Sequence, residues 1–210
     1  MGYRAVIFDL GGVVLGSPLH AIAAYEREIG VPEGHVNRVV VETGPGGAWS
    51  RLERGELTLT DFFVAFDAEC AAAGHPISAA AMMERIAGAG GPRPAMLDAI
   101  GCIRERGLAT AALTNNWASE GGGNGHVELR ALFDVFVESS VVGLRKPDPR
   151  IYEHTLEALD VAPGDSVFLD DIGRNLKSAR ALGMTTIKVE TPESALAELE
   201  TTLGFRLSRA

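Results

Sequence analysis

Ala5-Val6-Ile7-Phe8-Asp9-Leu10-Gly11-Gly12 decides how this chain folds: four apolar residues, one carboxylate, then a glycine pair. A short unbroken apolar run is the pattern of a parallel strand buried on both faces. The acid and the glycines end it in a tight turn. Four later runs repeat the pattern, at Leu108 to Leu113, Val135 to Val137, Ser166 to Leu169 and Thr185 to Val189. Helical stretches lie between them. Ala95 to Arg106 stops at Gly107, Pro149 to Leu159 starts behind two prolines, and Asn175 to Leu182 ends at Gly183. Strands alternating with helices predict βαβ units and right-handed crossovers. The expected fold is α/β, a Rossmann-like parallel sheet with helices on both faces.

From residue 16 to about residue 92 the pattern changes to helices with Gly and Pro breaks. The expected helices are Pro18 to Ile29, Glu33 to Glu42 with Gly34 inside, Thr60 to Ala73 with Thr60 as N-cap, and Ser78 to Ala87 with Ser78 as N-cap. Phe62, Phe63 and Phe66 fall at helical spacing and read as its core. This predicts an all-helical cap, residues 16–92, inserted into a core of residues 1–15 and 93–210. Gly88-Ala89-Gly90-Gly91-Pro92 is the return linker. Gly44-Pro45-Gly46-Gly47 and Gly121-Gly122-Gly123-Asn124-Gly125 lack the Lys and Ser/Thr of a phosphate loop and read as surface loops. Trp49 and Arg51 flank the first of them. A surface-packed Trp is the plainer reading, and a role facing the site is the alternative.

Composition excludes several classes. Net charge is −9 with no run of Lys or Arg, so no nucleic acid is expected as partner. Cys70 and Cys102 lie far apart without metal-ligand spacing, as in a reducing compartment. The N-terminal apolar run is too short for a signal peptide, and no stretch reaches the ~18 apolar residues of a membrane span. The expectation is a cytoplasmic protein without membrane contact, either monomer or homodimer.

In an open parallel sheet, ligands bind beyond the carboxyl ends of the strands. Asp9, Thr114 and the pair Asp170-Asp171 stand at three such ends. Asp9 is the candidate nucleophile, since a carboxylate can attack phosphorus and divide one hard step into two. Thr114 and Asn115 suit phosphate oxygens through a hydroxyl and a backbone N–H. Lys146 precedes Pro147, which holds it extended, and its charge balances nucleophile and phosphate. Asp170 and Asp171 repel each other beside Asp9 and call for a cation. Mg²⁺, which takes oxygen ligands, is the expected cofactor. Asp9, Asp171 and a carbonyl near Gly11 are its candidate ligands, with Asp170 holding a bound water.

These segments resemble the haloacid dehalogenase-like hydrolase superfamily. The resemblance runs through Val142-Gly143-Leu144-Arg145-Lys146-Pro147-Asp148-Pro149, Phe168-Leu169-Asp170-Asp171-Ile172-Gly173 and Leu182-Gly183-Met184, across the whole core. Within the family, Phe133 to Val189 is similar to the N-terminal phosphatase domain of soluble epoxide hydrolase. It is similar too to the hydrolase-like domain of the acyl-CoA dehydrogenase family member 10 group. The cap matches more loosely, through Trp49, Arg51-Leu52-Glu53 and Gly55-Glu56-Leu57-Thr58. The resemblance implies a Mg²⁺-dependent phosphatase of a small phosphorylated metabolite, acting through an aspartyl-phosphate. It makes Asp9 the nucleophile, Lys146 its orienting cation, Thr114 and Asn115 the phosphate ligands and Asp171 a direct metal ligand supported by Asp170. One position departs from the family pattern. An acid–base Asp is expected two residues after the nucleophile, and Gly11 stands there. Such a group is typically worth ~10²–10⁴ in rate. Slow turnover or a preference for good leaving groups is therefore expected, with His126, Glu53 and Arg51 as conceivable substitutes. Two other readings remain at this stage. One is a metal-independent 2-haloacid dehalogenase, which Asp170-Asp171 opposes. The other is a weakly catalytic binding domain.

Overall fold

The expected apolar runs become strands because both of their faces are covered. The computed structural model describes residues 2–88, 90–118 and 127–207. β1 (Ala5–Phe8), β2 (Ala109–Thr114), β3 (Val135–Glu138), β4 (Ser166–Asp170) and β5 (Thr185–Lys188) form one sheet in the order β3-β2-β1-β4-β5. Every pairing is parallel, with Phe8 in register with Ala112 on one side and Leu169 on the other. The chain steps outward from β1 to β3, then crosses back to place β4 beside β1. The boundary between β1 and β4 is therefore the topological switch point, where ligands of such sheets bind.

Between β1 and β2 the chain forms α1 (Pro18–Glu28), α2 (His35–Thr43), α3 (Ala48–Glu53), α4 (Leu59–Ala72) and α5 (Ala79–Gly88). These five pack around a core of their own, which includes Tyr25, Val39, Trp49, Phe62, Phe66 and Met82. The chain leaves and re-enters the sheet domain at one point: Leu15 bridges Pro92, and Arg93 N–H donates to the Val14 carbonyl at 2.8 Å.

The remaining helices are α6 (Pro94–Glu105), α7 (Val127–Arg130), α8 (Ser139–Val142), α9 (Pro149–Leu159), α10 (Gly173–Ala181) and α11 (Pro192–Leu203). Val6 and Phe8 face α6 and α11, meeting Met96, Ile100 and Leu199. Ile7 faces α9 and α10, meeting Ile151, Tyr152 and Leu176. Helices thus cover both faces of the sheet.

Three local expectations are corrected. The N-cap of α4 is Thr58, whose hydroxyl accepts Asp61 N–H at 3.1 Å, and not Thr60. Gly34 lies before α2, because its φ of 84° is left-handed and does not continue a helix. Gly44–Gly46 makes one tight helical turn that feeds α3, where only a loop was expected. Ser78 does cap α5, accepting Ala81 N–H at 3.2 Å. The stretch Gly121–Gly125 and His126 lie outside the described residues.

Candidate active site

Asp9 is the first residue beyond β1 and is buried. One carboxylate oxygen accepts Leu10 N–H at 2.7 Å, and the other lies 2.8 Å from Lys146 Nζ. Lys146 is 1% exposed, and the same Nζ reaches Asp170 Oδ2 at 2.8 Å. Asp170, at the end of β4, has no exposed surface and also accepts Ile172 N–H at 2.7 Å and Asn175 Nδ2 at 3.0 Å. Two strand ends are thus tied through one buried ammonium. Asn175 was not foreseen. It sits in the first turn of α10, and nothing in its local sequence marks it.

Asn115 takes a part different from simple phosphate contact. Its side chain accepts Lys146 N–H at 2.8 Å and donates to the Lys146 carbonyl at 3.1 Å. It therefore fixes the backbone that carries the lysine, whose peptide bond to Pro147 is cis. Thr114, at the end of β2, is buried and lines the cavity beside Asp9.

The charges are unbalanced. Burial alone would lower the Lys146 ammonium, but Asp170 and Asp9 outweigh it and hold it above its ordinary value. Burial pushes the Asp9 carboxyl well above the usual carboxylate range; Lys146 pulls it back, and Asp170 and Asp171 push it further. Asp171 is raised to about 6, by burial first and then by Asp170. Three carboxylates face one ammonium. Ligand oxygens of Asp9, Asp170 and Asp171 all lie within 4.8 Å of one another. Hard oxygen donors at this separation, short of positive charge, fit a Mg²⁺ ion. Gly12 makes the approach possible. Its φ is 79°, and a Cβ there would collide with the Asp171 carboxylate.

The site opens into a cavity of about 900 Å³ between the sheet domain and the helical insertion. Asp9, Thr114, Asn115, Lys146 and Asp171 line it from the sheet domain. Ile22, Val36, Val40, Trp49, Ile86 and Trp117 form much of the rest. Trp49 is buried rather than surface-packed, edge-on to Phe62 at 5.7 Å and to Trp117 at 6.3 Å. Leu19, Val41 and Val141 also line the cavity and are solvent-exposed. Arg51 does not line it and pairs with Glu56 at 3.7 Å. Glu53 does, and it joins the two parts of the molecule. It accepts Arg145 Nε at 2.5 Å, Asn115 Nδ2 at 3.3 Å and Trp49 Nε1 at 2.9 Å. Among the described residues, no helix is long and apolar enough to cross a membrane.

Known proteins are similar to this chain along most of its length. Residues 3–183 match the sequence model of the haloacid dehalogenase-like hydrolases. The chain is 41% identical to acyl-CoA dehydrogenase family member 10 of Mus musculus, over 98% of this chain and 20% of that protein. It is 34% identical to bifunctional epoxide hydrolase 2 of Sus scrofa, over 99% of this chain and 40% of that protein. It therefore spans only a fifth to two fifths of these relatives. Among solved structures, it superimposes on an enzyme of this fold from Bacteroides thetaiotaomicron in complex with magnesium and inorganic phosphate. The TM-score is 0.62 at 19% identity, covering 89% of this chain and 94% of that one.

Proposed function

Because the chain belongs to the haloacid dehalogenase-like hydrolases, we propose that it is a Mg²⁺-dependent phosphatase whose small phosphorylated substrate carries an apolar group. The observation that carries this reading is the carboxylate cluster around Lys146, set at the switch point and opening into an apolar cavity. The magnesium and phosphate bound by the Bacteroides enzyme of the same fold support it. Residues 1–15 and 93–210 act as the catalytic core. Residues 16–92 act as a cap that excludes water and selects the substrate.

Asp9 is the nucleophile, and its attack on phosphorus gives an aspartyl-phosphate. Lys146 pulls Asp9 toward its ionised form and aims it, while Asp170 and Asn115 hold Lys146 in place. The Thr114 hydroxyl and the Asn115 backbone N–H hold phosphate oxygens. Asp9, Asp171 and the Gly11 carbonyl would hold Mg²⁺, with Asp170 supporting. When bound, the ion would offset the negative charge of phosphate and nucleophile. The apolar wall receives the organic group of the ester, whose burial is worth ~25 cal/mol per Å² of apolar surface.

The test is phosphate release from a panel of esters, with Mg²⁺ and again with EDTA. Release that needs Mg²⁺, rises with the apolar size of the ester and is lost in Asp9→Asn is the expected result. Halide release from 2-chloropropionate in EDTA, with no phosphate release from any ester, would instead make it a dehalogenase.

A further inference from the structure

We infer that this site cleaves phosphates whose leaving group departs without a proton from the protein, such as acyl and acidic aryl phosphates, in strong preference to alkyl phosphates. The inference rests on the phosphatase reading above and narrows it. An alkoxide is a poor leaving group unless an acid protonates it as the P–O bond breaks. Such an acid must line the cavity on the side of phosphorus away from Asp9, because attacking and leaving oxygens stand roughly in line. Lys146 Nζ lies 2.8 Å from Asp9 itself, on the attacking side.

Among the described residues, four carboxyl groups line the cavity: Asp9, Glu53, Glu138 and Asp171. Asp9 is the nucleophile and Asp171 belongs to the cation cluster. Glu53 accepts from an indole N–H, an amide and a guanidinium, with both oxygens engaged. Glu138 accepts from Asn116 Nδ2 at 2.7 Å on one oxygen and from Arg130 on the other. Neither has an oxygen left free of a donor. None of the described histidines, tyrosines or cysteines lines the cavity.

Among the described residues, position 11 is the remaining place from which an acid could act, and it is empty. Gly11 has no side chain, and a Cβ built on it would stand 3.3 Å from the Pro18 ring. Pro18, the first residue of α1, would have to give by a few tenths of an ångström to admit it. No acid among the described residues assists the first step. A bond forms from an Asp9 oxygen to phosphorus, and the bond to the leaving oxygen breaks. That oxygen keeps the electron pair and departs as a carboxylate or phenolate. Water then adds to phosphorus, frees the Asp9 carboxylate and inorganic phosphate, and gives its proton to solvent.

The test measures kcat/KM, with Mg²⁺, for a series of aryl phosphates of similar size and graded phenol acidity. Acetyl phosphate and an alkyl phosphate complete the set. We expect a steep fall as the leaving group becomes more basic, leaving the alkyl phosphate at least ~10²-fold behind. In Gly11→Asp combined with Pro18→Ala, the fall should flatten and the alkyl phosphate should gain by a similar factor. The wild-type series decides the matter even where that variant does not fold. A flat series, or an alkyl phosphate cleaved as fast as the aryl esters, means that the protein does supply a proton and overturns the inference with the phosphatase reading intact. Release from no member removes the phosphatase reading, and the inference with it.

Discussion

Lys146 shows how much rests on one side chain. It is buried between Asp9 and Asp170, so Lys146→Met leaves two carboxylates without their cation. Removing one partner of a buried ionic group typically costs ~3–5 kcal/mol. We expect a loss of that size in urea unfolding at pH 8, together with loss of turnover. At pH 5 the loss should shrink. Without the ammonium, nothing pulls the folded Asp9 carboxyl back from its raised value, so the folded state holds the extra proton and stability falls as pH rises through that window. Gly12→Ala should act differently, through the positive φ and the collision with Asp171. It should cost ~1–3 kcal/mol and raise the Mg²⁺ concentration needed for half-maximal activity, as read by melting and by Mg²⁺ titration. Asp9, Thr114, Lys146 and Asp170-Asp171 were legible in the sequence because each ends an apolar strand or precedes a proline. Asn175 was not, because an asparagine in the first turn of a helix has no distinguishing pattern until Asp170 is seen beside it.

At the scale of elements, the insertion is held together by acids that cap helices other than their own. Glu26 of α1 accepts Gly34 N–H and Val36 N–H, both at 2.7 Å, at the start of α2. Glu69 of α4 accepts Ala48 N–H at 2.8 Å at the start of α3, and Asp67 accepts Ala79 N–H at 2.6 Å at the start of α5. Glu26 is the most consequential, since Gly34 gives α2 no side-chain cap. Glu26→Ala should cost ~1–3 kcal/mol by leaving two donors short of a partner, while the sheet domain keeps its own stability. Two transitions in place of one, followed by far-UV circular dichroism in urea, would report this. The strands were legible because burial on both faces writes them as unbroken apolar runs. The helix α3 was not. It has six residues, too few to show a period, and Gly44-Pro45-Gly46-Gly47 ahead of it reads as a break. The cap of α4 was misplaced by two residues because Thr58 and Thr60 both offer a hydroxyl near its start.

At the scale of the molecule, insertion and sheet domain are joined at the crossing linkers and again at Glu53 and Arg145. These two residues stand 92 apart in sequence, and a pairing over that distance leaves no mark in a single chain. A double-mutant cycle of Glu53→Gln and Arg145→Met should give a coupling of ~0.5–3 kcal/mol in stability. KM for an apolar phosphate should rise more than kcat falls, because the pair positions the wall directly and reaches the nucleophile only through Asn115 and Lys146. The crossing at Leu15 and Pro92 has a consequence of another kind. To the sheet domain, the whole insertion is a detour that starts and finishes at one spot. Closing a longer or shorter detour there changes the chain entropy only logarithmically. Splicing a short glycine linker in place of residues 16–91 should therefore leave a folded sheet domain that still cleaves acetyl phosphate with Mg²⁺ but no longer sorts esters by their tails. Such a detour can be exchanged, enlarged or trimmed while the reacting carboxylates stay where they are, which makes it the part of this chain most open to reinvention.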